Sequence, residues 1–322
     1  MRISVVIRTL NEAVHLGDLL SMISQQQTPS WDIETIVVDS GSTDGTLQIA
    51  QSYNARIVEI IRSEFTFGRS LNRGCASAES DIIVMVSGHC VPVRKDWLSR
   101  LCAPLIAGDA SYTYGRQLGD DSNNYSERRI FAKYFPECSK IPQDGFFCNN
   151  ANSAILTSVW NSNPFDEELT GLEDIDLAKR LFVDGHKIAY VAEAPVFHHH
   201  SESWRQVRRR FEREALALSV IMPEIQLSWI DVARCIVSST FADWRSASRN
   251  SVVSTTRADM LRYRVNQYLG SYHGNRAHRT LSREAKGRFF YPDIPRKADQ
   301  DEWLKPLRRP TTHEGQQPTY QG

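Results

Sequence analysis

A chain of 322 residues with 41% apolar and 24% charged residues, 17 Gly and 13 Pro has ordinary globular usage, which excludes collagen-like, low-complexity and coiled-coil classes and leaves room for one large domain or two ordinary ones. The 38 basic and 38 acidic side chains balance overall, yet residues 1–200 hold 17 Lys/Arg against 25 Asp/Glu and residues 201–322 hold 21 against 13, so net −8 (17 − 25) faces net +8 (21 − 13). No apolar run approaches the ~20 residues of a membrane-spanning helix, Met1 to Ile7 is too short for a signal peptide's apolar core, and six cysteines without CxxC spacing read as reduced thiols, so a cytoplasmic protein without zinc knuckle or disulfide framework is expected.

Strand-like and helix-like segments alternate over the first 90 residues: Ile3–Ile7, Leu16–Ser24, Thr35–Asp39, Thr46–Ser52, Arg56–Ile60, Arg69–Ala78 and Ile82–Val86. The strands are near-continuous Val/Ile runs, as in a mainly parallel sheet covered by helices on both faces, which predicts an open, doubly wound α/β fold. Ligands of such sheets sit beyond the carboxyl ends of the strands. Those ends carry Arg8-Thr9-Leu10-Asn11-Glu12, Asp39-Ser40-Gly41-Ser42-Thr43-Asp44-Gly45 and Ser87-Gly88-His89-Cys90. A carboxylate placed like Asp39 suits the imide N–H of uracil or thymine, and suits a structural turn equally well; Asp44 reads as a helix N-cap.

From Gly115 to Asn152 the pattern turns irregular and polar, and Phe146 to Ile155 leads on to Glu173-Asp174-Ile175-Asp176, which reads as an acceptor-side subdomain. Ser203 with Gln206 three residues on is a capping box for a helix to about Val220, with Trp204, Val207, Phe211, Ala215 and Leu218 on one face. A second amphipathic pattern follows Pro223: Trp229, Ala233, Ile236, Val237, Thr240 and Trp244. Residues 1–200 thus read as one domain and 201–322 as a basic, mainly helical region, with Pro310 to Gly322 a frayed tail. No G-x-G-x-x-G, G-x-x-x-x-G-K-[ST] or G-x-S-x-G motif occurs, which removes the common dinucleotide, ATP and hydrolase readings.

Ser4 to Glu12 and Val37 to Asp44, followed by Gly68 to Gly74, Asn149 to Ala154 and Gly171-Leu172-Glu173-Asp174, resemble the family-2 glycosyltransferases in order over roughly residues 1–200. Tyr114-Gly115-Arg116-Gln117, Gly270 to Asn275 and Phe289-Phe290-Tyr291-Pro292 are similar to bacterial surface-polysaccharide enzymes of the rhamnosyltransferase-like group. The resemblance implies a GT-A fold and inverting transfer of a sugar from a UDP- or dTDP-sugar to a hydroxyl of a glycan or lipid-linked acceptor. It implies Asp174 as catalytic base, with Glu173 the close second, and Thr9, Asn11, Glu12, Asp39, Ser40, Arg69, Asn72 and Arg73 toward the nucleotide. Asn150, Asn152 and Arg116 fall to the acceptor or sugar.

The resembled enzymes end the fourth strand with Asp-x-Asp, whereas this chain has Ser87-Gly88-His89. His89 takes the place of the second aspartate and, with His198 and His200, forms a candidate divalent-cation site whose imidazoles suit Mn²⁺ better than Mg²⁺. A non-catalytic nucleotide-sugar-binding partner subunit is the alternative function; the retained Glu173-Asp174 pair argues against it. In the basic half, Arg205, Arg208, Arg209 and Arg213 beside Trp229, Ile236, Val237 and Trp244 suggest peripheral contact with the inner face of the cytoplasmic membrane, or docking on the acidic half. Nucleic acid is not expected, because Glu212 and Glu214 interrupt the arginine run.

Overall fold

The computed structural model describes residues 1–250 and 255–276; the Phe289 to Pro292 signature and the tail from Pro310 lie outside the described residues. In chain order the elements are β1 (Arg2–Thr9), α1 (Ala13–Ser24), β2 (Asp32–Asp39), α2 (Thr46–Ser52), β3 (Arg56–Glu59), α3 (Phe67–Ala76), β4 (Ile82–Ser87), β5 (Cys90–Pro92) and α4 (Trp97–Ile106). There follow β6 (Tyr112–Leu118), α5 (Tyr125–Tyr134), β7 (Asn152–Leu156), α6 (Thr157–Ser162), α7 (Glu173–Val183), β8 (Ile188–His198), α8 (Trp204–Ile221), α9 (Trp229–Arg249) and α10 (Arg257–Arg276).

Strands β1 to β4 pair in parallel, as their apolar runs predict, and lie in the order β3-β2-β1-β4. Alternate residues face two separate cores. Ile3, Val5 and Ile7 pack with Leu16, Leu19 and Ile23 of α1 and Trp97 and Leu101 of α4, while Val6, Ile83 and Met85 pack with Leu71 of α3 and Leu177 and Leu181 of α7. A Cβ on Gly74 would stand 2.5 Å from Val6 Cγ1 and 2.7 Å from Val38 Cγ2, so only glycine lets α3 lie this close to the sheet. Beyond β4 the sheet is mixed: β7 is antiparallel to β4 and to β6, β6 is parallel to β8, and β8 is antiparallel to β5. The expected acceptor-side subdomain is therefore corrected, since β6 and β7 continue the same eight-stranded sheet. Their sequences are short and polar because the pairing partners, not local periodicity, make them strands.

Ser203/Gln206 forms the expected capping box at the start of α8, and Ser228/Asp231 forms a second one at the start of α9. The face of α9 differs from expectation. Asp243, fully buried, accepts hydrogen bonds from Arg264 Nε (2.7 Å) and Nη2 (2.9 Å) and from Ser126 Oγ (2.6 Å), with Arg129 Nε at 3.0 Å. This anchor turns Val232, Thr240, Asp243 and Ala247 inward and leaves Trp229 (57% exposed) and Val237 (69%) outside the buried face. Any rotation that separated Asp243 from Arg264 would leave a buried charge uncompensated, which costs more than exposing one apolar side chain.

The sequence from Gly270 to Asn275 also finds a structural use. Cβ atoms on Gly270 and Gly274 would lie 2.3 Å from the Arg208 carbonyl oxygen and 2.0 Å from that of Glu212, so α10 meets the backbone of α8 directly. On an exposed helix Gly→Ala gains about 1 kcal/mol. Gly270→Ala is expected to reverse that sign and destabilise by about 1–3 kcal/mol, read as a lower urea midpoint with unchanged m-value.

Candidate active site

The ends of β1 and β2 are laced together. Asp39, 2% exposed, accepts from the N–H groups of Gly41 (2.9 Å) and Ser42 (2.8 Å) through Oδ1, and from Thr9 Oγ1 (3.0 Å) and Ser42 Oγ (2.5 Å) through Oδ2. Ser40 Oγ donates to the Thr9 carbonyl at 3.1 Å. Asn11, at φ 57°, accepts the Thr43 N–H at 2.8 Å, and the Glu12 N–H donates to Thr46 Oγ1 at 2.8 Å. Asp44 holds the Ala13 N–H at 3.1 Å and lies one residue before the cap of α2, which is Gly45 at φ 97°. The Asp39 carboxylate is thus filled by its own turn, and a base N–H reaches it only by displacing a partner such as the Ser42 hydroxyl.

Arg69, Asn72 and Arg73 are engaged as well. Arg69 Nε pairs with Glu167 at 2.7 Å, Asn72 Nδ2 donates to the Phe165 carbonyl at 2.9 Å, and Arg73 Nη2 pairs with Glu64 at 2.6 Å. Together they tie α3 to its flanking loops.

The head of α7 brings together the groups with the most perturbed chemistry. Glu173 and Asp174 are both buried, and Arg8, at the end of β1, lies 3.4 Å from Glu173. Asp174 Oδ2 accepts the Asn150 N–H at 2.9 Å and Oδ1 the Ile175 N–H at 2.8 Å. Burial, then the neighbouring Glu173 charge, pushes the Asp174 carboxyl up to about 7 against the lowering effect of its hydrogen bonds and of Arg8. Asn150 Nδ2 is buried without a partner beside it. Asn152, in contrast, spends its side chain inside: Oδ1 accepts from Trp97 Nε1 (2.9 Å), and Nδ2 donates to the carbonyls of Arg116 (3.1 Å) and Ala194 (2.9 Å). Arg116 pairs with Glu137 at 3.0 Å.

Three imidazoles gather at the end of the sheet. A ring nitrogen from each of His89, His198 and His200 lies within 4.8 Å of the others, and His89 Nε2 stands 3.1 Å from His198 Nε2. Each Nδ1 faces an acceptor: Glu12 Oε1 for His89 (2.7 Å), Gln117 Oε1 for His198 (2.7 Å) and Glu127 Oε1 for His200 (2.8 Å). Gln117 is oriented by Asn149, whose Oδ1 accepts both Gln117 Nε2 (2.9 Å) and the Ala151 N–H (3.0 Å). With protons on Nδ1, the Nε2 lone pairs of His89 and His198 point at each other, and burial, then His200 and His89, holds His198 well below its ordinary pKa and so neutral. Facing lone pairs at that distance suit a cation between them, so the donor set fits a divalent metal with hydrogen-bonded outer partners. Gly88 makes the approach possible, because a Cβ there would lie 2.9 Å from Glu12 Cγ and 3.1 Å from the Arg8 carbonyl.

Sequence reasoning placed all three histidines and the acidic pair but not Gln117, Asn149, Glu127 or Arg8 in supporting roles. The first two and Arg8 lay within quoted motifs; Glu127, on the polar stretch before β7, carried no local signal.

Residues 4–160 match the sequence profile of Glycosyl transferase family 2. The chain is 32% identical over 190 residues to the O-antigen chain rhamnosyltransferase WbaN of Salmonella anatum, covering 55% of this chain and 60% of that one. It is 29% identical over 228 residues to the O-antigen chain rhamnosyltransferase RfbN of Salmonella typhimurium, covering 66% and 70%. It spans less than two thirds of WbaN, at 60%. The glucosyl-3-phosphoglycerate synthase of Mycobacterium tuberculosis, solved with Mn²⁺, UDP-glucose and glycerol 3-phosphate, superposes with a TM-score of 0.51 at 25% identity over 68% of this chain and 79% of that one. A mixed sheet of this order, joined to the family match, makes residues 4–160 a glycosyl transferase family 2 domain, and the sheet has the GT-A fold.

Proposed function

We propose that the chain is an inverting glycosyltransferase moving a hexosyl-type sugar from a UDP- or dTDP-sugar to a hydroxyl of a glycan or lipid-linked acceptor in surface polysaccharide synthesis. The observation that carries this reading is the buried Asp174 carboxylate, fixed by two backbone N–H groups at the head of α7 with its pKa brought to about 7. A base of that pKa is ionised in a large fraction at neutral pH yet binds a proton readily. In a single displacement the acceptor oxygen bonds to the anomeric carbon and its proton passes to Asp174. The bond to the diphosphate breaks on the opposite face, and the nucleoside diphosphate departs with that electron pair. Glu173, held by Arg8, keeps Asp174 from ionising at acid pH.

A divalent cation on His89, His198 and His200 would supply positive charge to the departing diphosphate. The chain's own part is orientation: Glu12, Gln117 and Glu127 take the Nδ1 protons and leave Nε2 as the ligand atom. The relatives' names support a surface-polysaccharide acceptor, and the mycobacterial neighbour's ligands support a nucleotide-sugar donor with Mn²⁺. No helix of the described residues is long and apolar enough to cross a membrane. Exposed Ile230, Val237 and Phe241 on α9, with exposed Arg234 and Arg245 beside them, are the surface we assign to an anionic membrane face.

Four outcomes test this reading. The kcat/KM for sugar transfer should rise with pH through an apparent value near 7 that belongs to the Glu173–Asp174 pair, because the base works unprotonated. Asp174→Asn should lower kcat by about 10²–10⁴-fold without weakening donor binding; an unchanged rate removes Asp174 as the base. In calorimetry, Mn²⁺ should tighten UDP or dTDP binding, His89→Ala should abolish that gain, and Gln117→Leu should weaken Mn²⁺ about 10–100-fold; full activity in excess chelator would sink the metal. Vesicle co-sedimentation should favour anionic lipid and fall with salt, and Val237→Glu with Phe241→Glu should remove it.

A further inference from the structure

Behind Asp174 lies a buried polar cluster that the transfer step itself does not use. The hydroxyls of Tyr112 on β6 and Ser153 on β7 both donate to Asn150 Oδ1, at 2.5 and 2.8 Å. Tyr112 and Ser153 are fully buried and Asn150 is 2% exposed, so no solvent competes for these bonds. Asn150 Nδ2 has no partner, and a buried donor left unpaired costs stability. A side chain kept only to fill the core would therefore be apolar here. What Asn150 does supply is one of the two backbone N–H groups that hold Asp174, at 2.9 Å.

The side chain and the backbone of Asn150 are linked by a turn. Residues Asn149 to Asn152 close on the Asn152 N–H and the Asn149 carbonyl at 3.3 Å, which leaves the Asn150 N–H pointing out of the turn, toward Asp174. It keeps that direction only while the peptide before Asn150 keeps its orientation. With Oδ1 held by hydroxyls from two strands that pair with each other, Asn150 cannot swing its peptide away from α7 without breaking both bonds. The second N–H on Asp174 belongs to Ile175, the next residue in the chain, and moves with it. The Asn150 bond is thus the one of the two that fixes the carboxylate relative to the sheet. The titratable groups that Asp174 meets are Glu173 beside it, Arg8 of β1, Tyr112 and Cys148. Burial pushes Tyr112 and Cys148 far up, so both stay protonated through the neutral range and only Glu173 and Arg8 face Asp174 with charge.

We propose that Tyr112 and Ser153 are positioning residues for the catalytic carboxylate: by bracing Asn150 Oδ1 they hold the Asn150 N–H on Asp174 Oδ2. This deepens the glycosyltransferase reading and rests on it for the role of Asp174, while the brace itself is measured without turnover.

Full-length wild type, Tyr112→Phe, Ser153→Ala and Thr113→Val, labelled at the aspartate carboxyl carbons with ¹³C, would be titrated by NMR, with the Asp174 resonance identified by its absence from Asp174→Asn. Thr113→Val is the control, because its hydroxyl is also buried on β6 but bonds the Leu101 and Ala154 carbonyls at 2.9 and 3.3 Å. The Asn150 N–H favours the ionised carboxyl, so loosening it raises the pH at which Asp174 titrates. Tyr112→Phe and Ser153→Ala should each raise the midpoint by about 0.5–1 unit, and Thr113→Val should lower the melting temperature with the midpoint in place. The pH profile of kcat/KM for sugar transfer should move with the midpoint, so that activity lost at pH 7 returns at higher pH. Lowered melting with an unmoved midpoint in Tyr112→Phe and Ser153→Ala alike overturns the proposal, as does an equal shift in Thr113→Val. A shifted midpoint together with wild-type transfer by Asp174→Asn would uphold the brace and overturn Asp174 as the base. Should Tyr112→Phe not fold, Ser153→Ala decides by the same shift or its absence.

Discussion

Glu127 is the carboxylate on which the two halves of the molecule meet. Buried in α5, it accepts from His200 Nδ1 at 2.8 Å, from Arg210 Nη2 at 2.5 Å and from the Tyr263 hydroxyl at 3.3 Å, so the end of β8, α8 and α10 all converge on one side chain. Burial alone would raise its pKa, but Arg210 and His200 hold it down at about 2. Its contribution to stability is accordingly complete above about 4.5 and is lost as the pH falls toward about 2. Because the same carboxylate sets the tautomer of His200, the cation-binding geometry and the docking of the helical region share one support.

Asp174 shows the same residue class driven the other way. Glu127 faces a guanidinium at contact distance, whereas Asp174 faces a second carboxylate, Glu173, whose own cation, Arg8, stands 3.4 Å from it. Both are buried, and opposite neighbours drive one down to about 2 and help drive the other up to about 7. One carboxylate is thereby an ionised structural post, and the other is poised to exchange a proton near neutrality.

The charge division along the chain resolves into particular contacts. Arg210 and Arg264 of the basic half meet Glu127 of the acidic half and, through Asp243, the Ser126 hydroxyl of α5. Those arginines serve the protein's interior. Arg213, half-buried, lies over the Phe67 ring, and Arg234 and Arg245 stay on the surface of α9. A net charge computed over a segment averages over three different physical situations, and only contacts tell them apart.

The sequence by itself determined the parallel pairing of the first four strands, the side of the sheet that carries polar loops and the capping box of α8, and it singled out the acidic pair and the histidines as candidates. Each of these is written in near-neighbour physics: apolar runs where both faces are covered, side chains within reach of their own backbone three residues on, and motifs whose parts are contiguous. The tertiary structure alone decided that Asp39 is consumed by its turn, that α9 rotates to bury Asp243, and that β6 and β7 extend the same sheet. It also decided the tautomers of the three histidines and the basicity of Asp174. These properties belong to pairs far apart in the chain, such as His89 with His198, separated by 109 positions, and Glu127 with Arg210, separated by 83. A pKa, a tautomer or an unpaired charge is set by the field of whichever groups packing brings within a few ångströms, and no local pattern records that field.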